Sequence, residues 1–138
     1  QLNISFYYWH EIAGPMLYYS EGNFDITEED LFMLLSSVEP FTATDESSLT
    51  GPYNVNDEVI MAYNRSLNYP EAKDERIRLM GVDTCVLISC NKEYELVLTS
   101  MSEIAKTILD MEFIPIEEIN QLNPHLAQNA SKAILSLF

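Results

Sequence analysis

The sequence predicts a single α+β domain over residues 1–138, built on a five-stranded antiparallel sheet covered on both faces. Three observations carry this. Hydrophobic periodicity reads as the element order ββαβββαα, with period-two stretches for the strands and period-3.6 stretches for the helices. The first strands are apolar at nearly every position, the pattern of a sheet shielded on both sides. With 138 residues and 47% hydrophobic composition, such a domain buries roughly 70% of its unfolded surface without disulfide or metal staples.

The first strand is predicted over residues 3–9, where Ile4, Phe6 and Tyr8 share one face among β-branched and aromatic neighbours. His10-Glu11-Ile12-Ala13-Gly14-Pro15 follows, and its Gly-Pro pair marks a turn into a second strand over residues 16–20. A helix then opens with Thr27 as N-cap and Asp30 at the third position, close to a capping box. Ile26 and Leu31 are placed as a hydrophobic staple, and Glu28, Glu29 and Asp30 complement the helix dipole. Leu31, Leu34, Leu35 and Val38 form its inward stripe, and Pro40 ends it. The three acids need be no more than helix chemistry.

Residues 42–57, rich in Thr, Ser, Asp, Asn, Gly and Pro, read as a long exposed loop. Strand character returns over residues 58–64. A polar connection over 67–75 leads into a run from 76 to 90, with its strand core at 82–89. Gly81 inside that run signals a bulge or a close backbone approach. Asn91-Lys92-Glu93 turns into a predicted fifth strand over 94–99, completing a meander. Ser100 to Glu103 reads as a second capping box, opening a helix with Ile104, Ile108 and Met111 inward. Ile114-Pro115-Ile116 interrupts it and a short helical piece fits 116–122. Asn123 as N-cap and Pro124 at the first helical position open the last helix, with Leu126, Ala130, Ala133, Ile134 and Leu137 apolar.

The charge is the unusual quantity: Lys plus Arg number 7 and Asp plus Glu 22, a net charge of −15. Nucleic-acid binding depends on cations that replace phosphate counterions, so this balance argues against it, and equally against electrostatic adhesion to anionic lipid. No apolar run approaches the ~20 residues needed to span a bilayer, so membrane association is expected at most peripherally, through a partner. Cys85 and Cys90 lie an odd number of positions apart on one predicted strand, hence on opposite faces, and are expected as reduced core thiols in a cytoplasmic protein. The start at Gln1 and the apolar end at Phe138 are expected of an excerpt from a longer protein.

No Walker loop, dinucleotide glycine motif, nucleophile elbow, Cys-x-x-Cys pair or His-Glu-x-x-His helix occurs. The acidic pairs, such as Asp57-Glu58 and Glu117-Glu118, are adjacent and so diverge on either a helix or a strand, badly placed to share a substrate. The expectation is therefore a protein that is not an enzyme and holds no cofactor or metal. Cations gather at one place: Arg65, Lys73, Arg76 and Arg78 face three acids between residues 65 and 78.

The stretch Trp9-His10-Glu11-Ile12-Ala13-Gly14-Pro15-Met16-Leu17-Tyr18-Tyr19 resembles the first hairpin of longin and longin-like domains, including those of GTPase-regulatory proteins. Asn68-Tyr69-Pro70-Glu71-Ala72-Lys73 is similar to a loop of a group of archaeal longin-like proteins. The resemblance implies a longin-like (profilin-like) αβα sandwich, with one helix on one face of the sheet and two on the other. It also implies a non-catalytic adaptor or scaffold in GTPase regulation or membrane trafficking. Such a domain would bind a small GTPase or another longin or roadblock subunit, and would pair with itself or with that subunit. The partner-binding residues expected on this reading are Trp9, His10, Glu11, Gly14 and Pro15 of the hairpin, with Arg65, Lys73, Arg76 and Arg78 of the basic window. The contact would extend along residues 16–20 if the second strand is a sheet edge. The alternative is a PAS- or profilin-like sensory domain, which would need a cavity for a small ligand between sheet and helices.

Overall fold

The computed structural model describes residues 2–24, 26–37 and 47–138. Strands β1 (Asn3–His10) and β2 (Gly14–Glu21) form the predicted hairpin, followed by helix α1 (Glu28–Ser37). Then come β3 (Ser48–Val55), β4 (Glu58–Leu67), a short α2 (Glu75–Met80) and β5 (Val82–Asn91). The long α3 (Glu95–Phe113) and α4 (Pro124–Leu135) complete the fold. All strand pairs are antiparallel, in the order β2-β1-β5-β4-β3. The hairpin is thereby docked through β1 onto the β3-β4-β5 meander.

The sheet is covered on both faces, as its apolar strands require. Ile4, Phe6, Val59, Met61, Tyr63, Val86 and Ile88 face α3 and α4, which contribute Leu98, Leu109, Phe113, Ala130 and Ile134. Tyr7, Ile60, Ala62, Cys85 and Leu87 point the other way, toward Leu34 of α1. One helix therefore lies on one face and two on the other. Cys85 and Cys90 are both free and buried, on opposite faces as their spacing demands.

The punctuation of α1 is as the sequence implies: Thr27 Oγ1 accepts the Asp30 N–H at 3.1 Å, and Ile26 and Leu31 join the Leu34 cluster. Val38 and Pro40 lie outside the described residues. The cap of α4 also holds, with Asn123 accepting the His125 N–H at 2.8 Å and Pro124 in the first turn. Of its predicted apolar positions, Ala130 and Ile134 are fully buried, whereas Leu137 is exposed. The short helical piece expected over 116–122 is a 3-10 turn at Ile119–Gln121.

Two strand assignments fail, and they offset each other in the count. Residues 94–99 are not a strand. Asn91 accepts the Glu93 N–H at 3.2 Å and starts a 3-10 turn, Lys92–Tyr94, that runs directly into α3. Six residues of near-alternating polarity fit a strand. The longer spacing of Leu98, Met101, Ala105 and Leu109 fits a helix, and those side chains are the buried ones. Ser100 is consequently no N-cap; its hydroxyl donates back to the Val97 carbonyl at 2.9 Å in mid-helix. The predicted inward face is rotated too, leaving Ile104 54% and Met111 65% exposed while Ile108 packs partly against the core.

Conversely, residues 48–55 are a strand and not a loop. As an edge strand β3 tolerates Gly51 and Pro52, which sit at an irregularity between the Thr50–Ala62 and Tyr53–Ile60 pairs. Asn56, at φ 55°, supplies the tight turn into β4. Residues 42–46 of the expected loop lie outside the described residues. Within the run read as 76–90, the first five residues belong to α2, capped by Asp74, whose side chain accepts the Arg76 N–H at 2.9 Å. Gly81 ends α2 at φ +84°, with its backbone pressed against the Leu67 carbonyl.

Candidate docking surface

The hairpin tip is held from inside and from across the sheet. His10 Nδ1 accepts the N–H groups of Ile12 and Ala13, both at 3.2 Å, which curls the loop over the imidazole. Glu11 reaches the segment before α2, where its carboxylate accepts the Lys73 N–H at 3.0 Å and the Asp74 N–H at 3.1 Å. The backbone N–H of Asp74, then that of Lys73, hold the Glu11 carboxyl below its ordinary pKa. Arg78 braces the same segment by donating to the carbonyls of Ala72 at 2.9 Å and Lys73 at 3.1 Å.

The fold therefore gathers eight of the nine candidate residues at one end of the sheet: Trp9, His10, Glu11, Gly14, Pro15, Lys73, Arg76 and Arg78. The Arg76–Asp74 ion pair there is exposed and long, at 3.7 Å, and adds little. Trp9 is half-buried, its ring 6.2 Å from that of Phe32 on α1, so it is packing as much as surface. Arg65 stands apart, on the face of β4 covered by α3, with its guanidinium 5.8 Å from the Phe113 ring centroid. In a Glu11→Ala variant, the Lys73 and Asp74 amides lose their acceptor. Hydrogen exchange at both is expected to quicken, while β5 amides stay protected.

Strand β2 is a sheet edge. Its aromatic pair turns inward: Tyr18 and Tyr19 lie 5.9 and 6.0 Å from the Phe6 ring and pack against the larger core cluster. Tyr18 is the extra residue of a bulge between the Phe6–Tyr19 and Tyr7–Leu17 pairs. The exposed apolar groups of the hairpin are Ile12, Met16 and Leu17, the last 52% exposed. Periodicity missed these because it treated the whole strand as covered. The opposite edge, β3, is a poorer template, since Pro52 lacks an N–H and the Gly51–Pro52 irregularity breaks the ladder.

No group of three or more His, Cys, Asp or Glu among the described residues could hold a metal ion. No helix among them is long and apolar enough to cross a membrane. The cavity between the sheet and α4, bounded by Phe6, Tyr18 and Ala130, measures about 10 Å³, room for a single water.

No protein-family model and no curated protein matches the sequence. Among solved structures, the K. lactis Lst4 longin domain superposes with a TM-score of 0.59 at 13% identity, over 99% of this chain and 92% of that one. At that identity the likeness speaks for architecture alone, and it agrees with the sheet order and helix placement described above. The protein has the fold of a longin domain.

Proposed function

We propose that this protein is a non-catalytic adaptor of the cytoplasm, which binds a small GTPase or a second longin or roadblock subunit in GTPase regulation or membrane trafficking. The carrying observation is the open outer edge of β2, with Met16 and Leu17 exposed and the adjoining hairpin tip clamped by Glu11. Such an edge offers unpaired N–H and C=O groups to a strand of a partner, and the exposed side chains select which partner. The clamp keeps the tip in one conformation, which lowers the ordering cost of association. Lys73 and Arg76, beside the tip, are cations that an acidic partner rim would meet. A small-ligand sensor is less well supported: among the described residues the cavity between the sheet and α4 has room for a single water, and the two larger hollows beside α3 are open to solvent.

The test is a pull-down against a panel of small GTPases in each nucleotide state and against longin and roadblock subunits, with light scattering for self-association. One of these partners should be retained by the native protein. Leu17→Arg places a charge on the edge and is expected to weaken that capture by about a hundredfold, with urea stability changed by less than ~1 kcal/mol. A monomer that retains none of them overturns the reading.

A further inference from the structure

We propose that the groove around Arg65 is a second binding site, which takes a carboxylate carried by an apolar stretch of a partner polypeptide. The residues that build it lie on the α3 face of the sheet, away from the β2 edge. Among the described residues β4 continues past its last β3 pair, Ser48 with Asn64, so Arg65 lies one position beyond the paired stretch. Two open hollows meet there, of about 440 and about 490 Å³, sharing Arg65 and Ile114 in their walls.

Arg65 is the reason to expect an anion. Its Nε is buried with no acceptor among the described residues, while the guanidinium lies against the Phe113 ring. No carboxylate among the described residues lies within ion-pair distance, in a protein with 22 acids and 7 bases. The nearby Asp110 is engaged elsewhere: it accepts from the Ser47 hydroxyl, from the Tyr63 hydroxyl at 2.7 Å and from Lys106 Nζ at 3.0 Å. A guanidinium in this state presents a fork matched to two carboxylate oxygens, and an incoming carboxylate would satisfy the buried nitrogen.

The rest of the groove narrows the class. Arg65, Lys106 and Asp110 line one hollow and Glu117 the other, so the lining charges cancel and a phosphate dianion gains no Coulombic advantage to offset its larger desolvation cost. Met111 and Ile114, 65% and 72% exposed, form an apolar rim beside the cation. A small free acid would leave that rim in water, whereas a peptide with apolar side chains flanking its carboxylate covers both. The carboxylate can be the partner's C-terminal group or an Asp or Glu side chain.

The experiment follows the Arg65 Nε–H signal of the ¹⁵N-labelled protein by NMR. Four probes are titrated: a Leu/Ser hexapeptide with a free C-terminus, one blocked at both ends with an internal Glu, the fully blocked Leu/Ser hexapeptide, and inorganic phosphate. At least one carboxylate peptide should shift the signal saturably, identifying the source, and the fully blocked peptide should not. Arg65→Gln, which removes that signal and is followed instead on the backbone amides of Phe113 and Ile114, is expected to weaken binding by about tenfold or more. Ile114→Ser, at an exposed side chain, should weaken it several-fold with the fold intact, which keeps the test valid if the first variant unfolds. An unmoved signal at about 5 mM of both carboxylate peptides overturns the proposal. So does equal binding of the blocked peptide, or saturation by phosphate at lower concentration. Leu17→Arg should leave this binding unchanged, which separates its failure from that of the edge reading.

Discussion

Above about pH 9 the folded protein is expected to lose stability as pH rises, through groups that burial forbids to ionise. Cys85 sits under α1 with its thiol pushed far above the usual range, by burial first and by the Asp83 charge second. Tyr63, wholly buried against α3, is pushed up by burial and by donating its hydroxyl to Asp110. Both folded values lie above the unfolded ones, so the stability these protons represent is complete below about pH 9 for the thiol and pH 10 for the phenol. It is lost as pH rises from there toward the folded values. Each group costs up to about 1.4 kcal/mol per pH unit over that window. Urea unfolding across the range measures it. Cys85→Ala shifts the baseline through its small cavity but should flatten the slope by about 1.4 kcal/mol per pH unit. An unchanged slope would mean that the thiol reaches solvent in the folded state.

Gly81→Ala is expected to destabilise by roughly 3–5 kcal/mol, from backbone strain and a backbone clash acting together. Gly81 adopts φ +84°, and a Cβ there would lie 2.5 Å from the Leu67 carbonyl oxygen. That oxygen belongs to β4 and has no flexible side chain behind which to retreat. Gly14→Ala is the matched control. Its φ of +77° is equally unfavourable, but nothing lies within 4 Å of the added methyl. It should cost only about 1–2 kcal/mol. Equal losses for the two variants in urea titrations would show that the conformation, not the approach of α2 to β4, controls the site.

How much of this was legible follows the range of the forces involved. Thr27 at α1 and Asn123-Pro124 at α4 are local hydrogen-bond chemistry, complete within a few residues, and both caps form as read. Gly81 could be read as a close approach, though not to what. The stretch 94–99 misled because a six-residue window cannot separate a strand from the first turns of a helix; the register of Leu98 with Met101, Ala105 and Leu109 can. β3 was hidden for the opposite reason. Its Thr, Gly, Pro and Asn residues have loop composition, and the strand exists because β4 offers it a ladder.

The candidate surface divides in the same way. The hairpin residues Trp9 to Pro15 and the cations Lys73, Arg76 and Arg78 could be named from residue type and clustering. Their union could not, since it depends on Glu11 accepting N–H groups about sixty positions away. Nor could composition foretell that Arg65 would leave that group for a groove of its own beside α3. By itself, then, the sequence determined the α+β class, the coverage of both sheet faces and the opposite placement of the two cysteines, because periodicity and local capping encode them. Only the tertiary structure decided which strands are edges, which side of α3 is buried and which charges meet. Those outcomes depend on pairing and packing between segments far apart in the sequence, where free energy is set by the neighbour found and not by the residue alone.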